Sequence, residues 1–368
     1  TVLVITAAVL FVGGPASAFE VKLSGHVNML VMFADNGYNT EFFVADNDNS
    51  SSRFRITGDE EINKLNIGFI LEFEAQRNAT NLLDIGGNDD GIFQWNERWV
   101  EGHFGGSWGK FSIGKGSGAA DGTSEVDLSG TSVIMYAGVA DTAGGFTWTF
   151  KDGTKLVRTN VETGITGDAD VGDTRDDFDG LGRNVRIRYD TPLFAGFSLA
   201  GSITNGAAWE LAATYATAIK KHALAAALGY VDTNDRDELG QRDYSQIGGS
   251  ASWLTPFGLN VTATIGLRKF QGQLKQDRLA AGDTDDSQNY YLKVGWKGGI
   301  HAAALEWGRT DDLDQNGDKS SNYGASYVMF PWSGVEFYGA LRAYSLDQQG
   351  GPDPEDIRQI MAGTRIKF

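Results

Sequence analysis

Two short stretches place arginine at every second position: Arg53-Phe54-Arg55 and Arg186-Ile187-Arg188. In an extended chain such residues share one face, with the intervening Phe54 or Ile187 on the other. A face lined with guanidinium groups, which stay protonated in any local field, sorts solutes by charge and orients polar ones. Arg98 lies between Trp95 and Trp99, and alternation predicts that it faces the same way. Arg183 falls on the apolar parity and is set apart from the row.

Other chemistries have thinner support. Asp312, Asp314 and Asn316 open a D-x-D-x-N-G run like that of a calcium loop, but Tyr323 stands where the bidentate glutamate is needed. Loop-bound calcium is the one cofactor that these residues suggest. Gly114-Lys115-Gly116-Ser117-Gly118 has the glycines of a phosphate loop without its spacing or a following helix pattern. His26, His103, His222 and His301 are scattered, and His103 with Ser107 lacks an acid partner, so no enzyme is expected.

The 368-residue chain has a net charge of −17, which argues against binding a nucleic-acid backbone, and no cysteine, which excludes thiolate sites and disulfides. Residues 1–18, TVLVITAAVLFVGGPASA, read as the apolar core and Ala-Ser-Ala cleavage site of an export signal, with its basic start outside the given sequence. The mature chain is then expected to begin at Phe19 and to form one domain over 19–368. No later stretch is apolar enough for a membrane-spanning helix.

After residue 18 the period is two. In 64–75, KLNIGFILEFEA, Leu65, Ile67, Phe69, Leu71 and Phe73 share a face opposite Lys64, Asn66, Glu72 and Glu74. Sixteen such segments are predicted: 20–34, 51–61, 64–76, 92–104, 108–115, 183–191, 196–204, 207–218, 222–232, 243–254, 258–270, 288–297, 300–310, 320–330, 335–346 and 357–368. Every second connection is a short turn, and the others are mostly long and rich in Asp, Asn and Gly, the longest being 116–182. The prolines after the signal all lie in connections, as a strand ladder requires. Long amphipathic strands with short turns at one end and long loops at the other predict an all-β, antiparallel transmembrane barrel of sixteen strands. It must close, because an open edge in hydrocarbon leaves unpaired backbone groups, and at this width it holds an aqueous channel. Aromatic residues near the turns (Tyr189, Phe194, Phe197, Trp253, Phe257, Phe330 and Trp332) and on one strand (Phe93, Trp95 and Trp99) are where interfacial girdles belong. In the last segment Ile360, Ala362, Thr364, Ile366 and Phe368 share the outward face, so the terminal ring belongs to a girdle.

Four stretches resemble the general porins of Gram-negative outer membranes: SSRFRITGDEEINKLNIGFILEFE (51–74), ERWVEGHFGGSWGKFSIGK (97–115), RIRYDTPLFAGFSLAGSI (186–203) and the terminal Gly363, Arg365 and Phe368. The resemblance implies a sixteen-stranded barrel, a homotrimer, and a third loop folded inward to narrow the pore. That loop would start after Lys115, which replaces the family's arginine on a basic wall with Arg53, Arg55, Arg98, Arg186 and Arg188. Asp121, Glu125 and Asp127 would form the facing acidic edge. Residues 116–182 exceed the usual third loop, and 133–153 would add a hairpin or helix there. The resemblance also implies that Phe368 is read by the barrel-assembly machinery. Outer-membrane lipid and lipopolysaccharide are implied partners; the Asp-rich stretch 168–179 itself reads first as a solvated loop, and second as one that divalent cations would bridge to lipopolysaccharide. The expected function is passive diffusion of ions and small hydrophilic solutes, with mild cation preference from the net charge. A solute-specific channel built on the enlarged loop, or a structural or adhesive barrel, are the alternatives.

Overall fold

The structure, a computed structural model, describes residues 19–87, 93–159, 166–234, 243–282 and 284–368; the export-signal reading of 1–18 lies outside them. The strands are β1 (Glu20–Asp35), β2 (Thr40–Asp46), β3 (Arg53–Ile62), β4 (Leu65–Arg77), β5 (Phe93–Gly106), β6 (Gly109–Ser117), β7 (Val157–Thr159), β8 (Thr166–Asp168), β9 (Arg183–Asp190), β10 (Phe197–Thr204), β11 (Trp209–Ile219), β12 (His222–Asp232), β13 (Tyr244–Leu254), β14 (Leu259–Phe270), β15 (Asp286–Gly298), β16 (His301–Asp311), β17 (Lys319–Trp332), β18 (Val335–Asp347) and β19 (Ile357–Lys367). All but β7 and β8, which pair only with each other, belong to one antiparallel sheet. β2 and β3 share one position, because the far half of β1 pairs with β2 and its near half with β3. The sheet is therefore a closed sixteen-stranded barrel, sealed by β1 against β19.

Every sequence-predicted strand is present; β2 is an addition. TEFFVAD does not alternate in hydropathy because both of its faces are covered by apolar groups. Phe42 and Val44 are exposed on the outside, whereas Phe43 and Ala45 are buried on the inside. Also unforeseen is helix α2 (Gly272–Ala281), ended by Gly282 at φ 90°, whose N–H reaches the carbonyls of Arg278 and Leu279. Its sequence lacks an apolar stripe.

The short turns are tight. Asn63 and Lys64 both have positive φ, as do Lys220 and Lys221, which matches the twist of two-residue hairpins. The outer face is largely apolar, with Val21, Leu23, Ile187, Leu211, Ile265 and Leu305 all exposed. Near the turns it carries Phe194, Phe197, Trp253, Phe257 and Trp332, whereas Phe330 packs toward the inner cluster beside a register shift between Met329 and Trp332. Phe368 bonds reciprocally with Gly25, N to O at 3.0 Å each way. Its ring occupies the space that a side chain at position 25 would need, so the end of the chain is held.

The inner face is not uniformly polar. Residues 118–159 and 166–182 pack on it, and their Ile134, Met135, Phe146 and Trp148 join Leu30, Met32, Phe43, Tyr344 and Met361 of the wall in one buried cluster. The 133–153 segment contains a 3₁₀ turn over Val139–Thr142, and the β7–β8 hairpin follows it. Where the loop lies over β13 and β14, its backbone is satisfied by small hydroxyl side chains. Val126 N donates to Ser250 Oγ and Leu128 N to Ser252 Oγ, both at 2.9 Å, and Thr264 Oγ1 donates to Ser124 O at 2.8 Å.

Candidate functional site

The part of the inner wall that the loop leaves uncovered spans β3 to β6 and β9. Arg53 and Arg55 stand opposite Glu74 and Glu72 of β4. Arg98 lies at a β-bulge of β5, where Glu72 pairs with Trp99 and Phe73 with Glu97. The extra residue lets Arg98 reach both acids, Nε to Glu72 at 2.8 Å and Nη1 to Glu74 at 2.7 Å. Arg55 Nε donates to Glu72 at 2.5 Å, and Arg53 Nη1 lies 3.6 Å from it. Three arginines thus share two glutamates in a ladder. The bulge also turns Trp99, expected outside, to the inner face, where it lies beneath the Arg186 guanidinium, 5.9 Å from it.

Arg186 and Arg188 also face inward, but they are engaged. Arg186 forms a buried pair with Glu101 at 2.5 Å and donates to the carbonyls of Ser117 and Gly114. Arg188 Nη1 donates to Gly118 O at 2.5 Å, and its Nη2 pairs with Asp190 at 2.8 Å. Both guanidinium groups hold the start of the long loop. Lys115 is off this wall. Its register opposite Val100 and Val185 puts it on the outer face, where it meets Glu97 at 3.6 Å. Strict alternation from Ile113, which is exposed, leaves no other placement.

The loop presents an acidic edge. Asp121 and Glu125 lie partly exposed on it. Asp127 is not at the edge: it is buried against Lys293 of β15 at 2.5 Å, and so fastens the loop. Asp141, Asp177 and Asp179 join the edge unforeseen. Glu125 is pushed well above the carboxylate range, by burial first and then by Asp179, Asp177, Asp141 and Asp121. Burial, followed by Asp48, raises Asp141 to about 7. Burial likewise raises Asp179 to about 7, opposed by hydrogen bonds from the backbone of Gly122 and Ser124. Asp141 also accepts a hydrogen bond from Tyr136 and feels the charge of Arg98, which marks where loop and arginine ladder face each other. Among the described residues none of the five edge acids makes an ion pair, and no group of three or more metal-ligating side chains converges.

The signal for Asp177 and Asp179 was the DDFD run within 168–179. The structure turns that stretch inward rather than toward lipid. Asp170 and Asp173 cap α1 (Val171–Thr174) reciprocally, and Asp176 pairs with Arg268 at 2.6 Å. The D-x-D-x-N-G run is filled by arginines. Arg158 of β7 pairs with Asp314 at 2.6 Å and with Asp318. Arg278 of α2 donates to the carbonyls of Asp312, Leu313 and Asp314 at 2.9–3.2 Å. Asp312 accepts from Gly317 N at 2.6 Å, and Asn316 donates to Gly282 O at 3.3 Å. Of the side-chain oxygens that a calcium ion would use there, Arg158 occupies that of Asp314. The four histidines lie apart, each with its own partner, such as Asp59 for His103 at 3.0 Å and Tyr327 for His301 at 2.6 Å.

The profile of the Gram-negative porins matches residues 5–349. The chain belongs to the Gram-negative porin family. It is an outer-membrane diffusion channel, of a family and fold without enzymatic chemistry. Among solved structures this porin is similar to the anion-selective porin from Comamonas acidovorans (TM-score 0.61, 17% identity, covering 95% of this chain and 100% of that one). It is also similar to a loop-deleted OmpT of Vibrio cholerae (0.58, 12%, 96% and 100%) and to the DcaP channel of Acinetobacter baumannii (0.57, 10%, 96% and 98%). These identities establish the shared fold. No curated protein sequence matches the porin.

Proposed function

We propose that this porin passes ions and small hydrophilic solutes passively through a constriction between the loop edge (Asp121, Glu125, Asp141, Asp177 and Asp179) and the arginine ladder (Arg53, Arg55 and Arg98), with mild preference for cations. One observation carries the preference. The ladder is largely neutralised by its own Glu72 and Glu74, whereas the five loop acids have no basic partner among the described residues. Burial and neighbouring acids push Glu125 and Asp177 well above the carboxylate range, so the preference rests on Asp141 and Asp179, raised to about 7, and is expected above that pH.

The family supports assembly as a homotrimer in lipid and lipopolysaccharide. The held, outward ring of Phe368 supports its reading by the barrel-assembly machinery: deletion of Phe368 is expected to lower the amount of assembled trimer, and normal trimer levels would refute this. The size of the 118–182 loop keeps a second reading in view, a channel with a solute-binding site on that loop.

Conductance of the purified protein in planar bilayers tests these readings. Steady current without block by any one solute supports the diffusion channel. Block by a single solute at low concentration transfers the proposal to the solute-specific channel. Absence of current would leave a structural or adhesive barrel.

A further inference from the structure

Phe178 is the one bulky apolar residue within the acidic run Asp176-Asp177-Phe178-Asp179. It is 1% exposed and has φ 58°, a left-handed backbone that a phenylalanine adopts only when its surroundings impose it. The surroundings are a socket in the wall. Arg268 of β14 lies over the ring at 4.4 Å and over Tyr244 at 4.5 Å on its other side, and its Nη2 pairs with Asp176 at 2.6 Å. The floor of the socket is glycine. A Cβ at Gly266 would lie 2.8 Å from Phe178 Cδ2, and one at Gly248 would lie 2.5 Å from Phe178 O. The backbone on either side is fastened too: Ser124 Oγ donates to Phe178 O at 3.0 Å, and Asp179 accepts from Gly122 N and Ser124 N, both at 2.6 Å.

A residue that plunges into a wall turns its neighbours away from it. Asp177 and Asp179 are those neighbours, and Glu125, on the segment that Asp179 braces, feels the charge of both. We propose that Phe178 is a positioning residue for ion selectivity: seated in the socket of Gly248, Gly266, Tyr244 and Arg268, it sets Asp177 and Asp179 on the edge of the opening. The proposal rests on the reading of that edge as the source of cation preference. Phe178 carries no charge and makes no contact with the permeating ion; it acts through the carboxylates beside it. The glycines matter because any side chain at position 266 competes with the ring for the same space.

The test is the reversal potential of the full chain across a salt gradient in planar bilayers, with heat-induced unfolding as the control for assembly. The double variant Asp177→Asn/Asp179→Asn, measured above about pH 7 where Asp179 is charged, reports the edge charge itself. Phe178→Ala and Gly266→Ala, which keep every charge, are expected to lower the cation-to-anion permeability ratio at least about twofold, in the same direction as the double variant. Phe178→Leu, which refills the socket, is expected to stay near the parent ratio. If the double variant shifts the ratio while Phe178→Ala and Gly266→Ala do not, the positioning role is overturned and the edge reading stands. If the double variant itself leaves the ratio unchanged, the edge reading fails and the proposal falls with it. Should Phe178→Ala fail to assemble, Gly266→Ala and Phe178→Leu decide the matter between them.

Discussion

The inner wall of this porin is two surfaces. From β10 round to β2 it is covered by the long loop; there Met32, Tyr344 and Met361 are apolar or sealed, and the ion pair of Arg342 with Glu306 at 2.6 Å is wholly buried, 0% exposed on both sides. From β3 to β6 and at β9 the wall is uncovered, and, apart from the buried Arg186, its arginines are partly wet: Arg55 is 42% exposed while pairing with Glu72. Both surfaces come from the same alternating strands. What differs is the partner, protein in one case and water in the other, and the partner decides what a charged pair does. Under the loop, Arg342 is a fastener, donating to Thr142 Oγ1 at 2.6 Å and Ile134 O at 3.4 Å. Across the opening, the arginines are part of a field.

The contrast is broken most severely by Arg342→Met. It strands Glu306 in a dry site, at a cost of about 3–5 kcal/mol. The loop segment 134–142 is expected to loosen, giving higher and noisier single-channel conductance and a lower unfolding temperature; an unchanged channel would show that the pair does not hold the loop. Lys293→Met is expected to act the same way and somewhat less strongly, because Asp127 keeps hydrogen bonds from Ser129.

Smaller effects belong to the uncovered side. Asp141 and Asp179, raised to about 7, are charged above that pH and neutral below it. Cation preference is therefore expected to fall as pH drops from about 8 to about 6. Reversal potentials at several pH values check the slope, and Asp141→Asn/Asp179→Asn should flatten it. If the slope survives that double substitution, other groups carry it. The smallest effect is expected for Arg55→Ala: an exposed pair contributes about 0–1 kcal/mol, and Glu72 retains Arg98 and Arg53. Its unfolding temperature should barely move.

The same division explains what could be read in the sequence. Period two located all sixteen barrel positions, because the outer face must be apolar everywhere. It failed at β2, where Phe42, Phe43, Val44 and Ala45 are apolar on both faces since a loop covers the inside. Arg53, Arg55 and Arg98 were legible as inward residues, but not their neutralisation by Glu72 and Glu74, which depends on register and on the bulge at Arg98. Lys115 was placed on the inner wall by resemblance against its own parity with Ile113, and the parity prevails. Asp127 and the 168–179 acids were legible as carboxylates but not as fastener, cap or edge. Those roles depend on partners as distant in sequence as Lys293 and Arg268.

The central claim is that the loop acids outweigh the arginine ladder at the opening. The reversal potential of the parent porin across a KCl gradient, at a pH where Asp141 and Asp179 are charged, tests it most directly. A potential of the sign set by K⁺ is predicted, and one set by Cl⁻ would contradict the account.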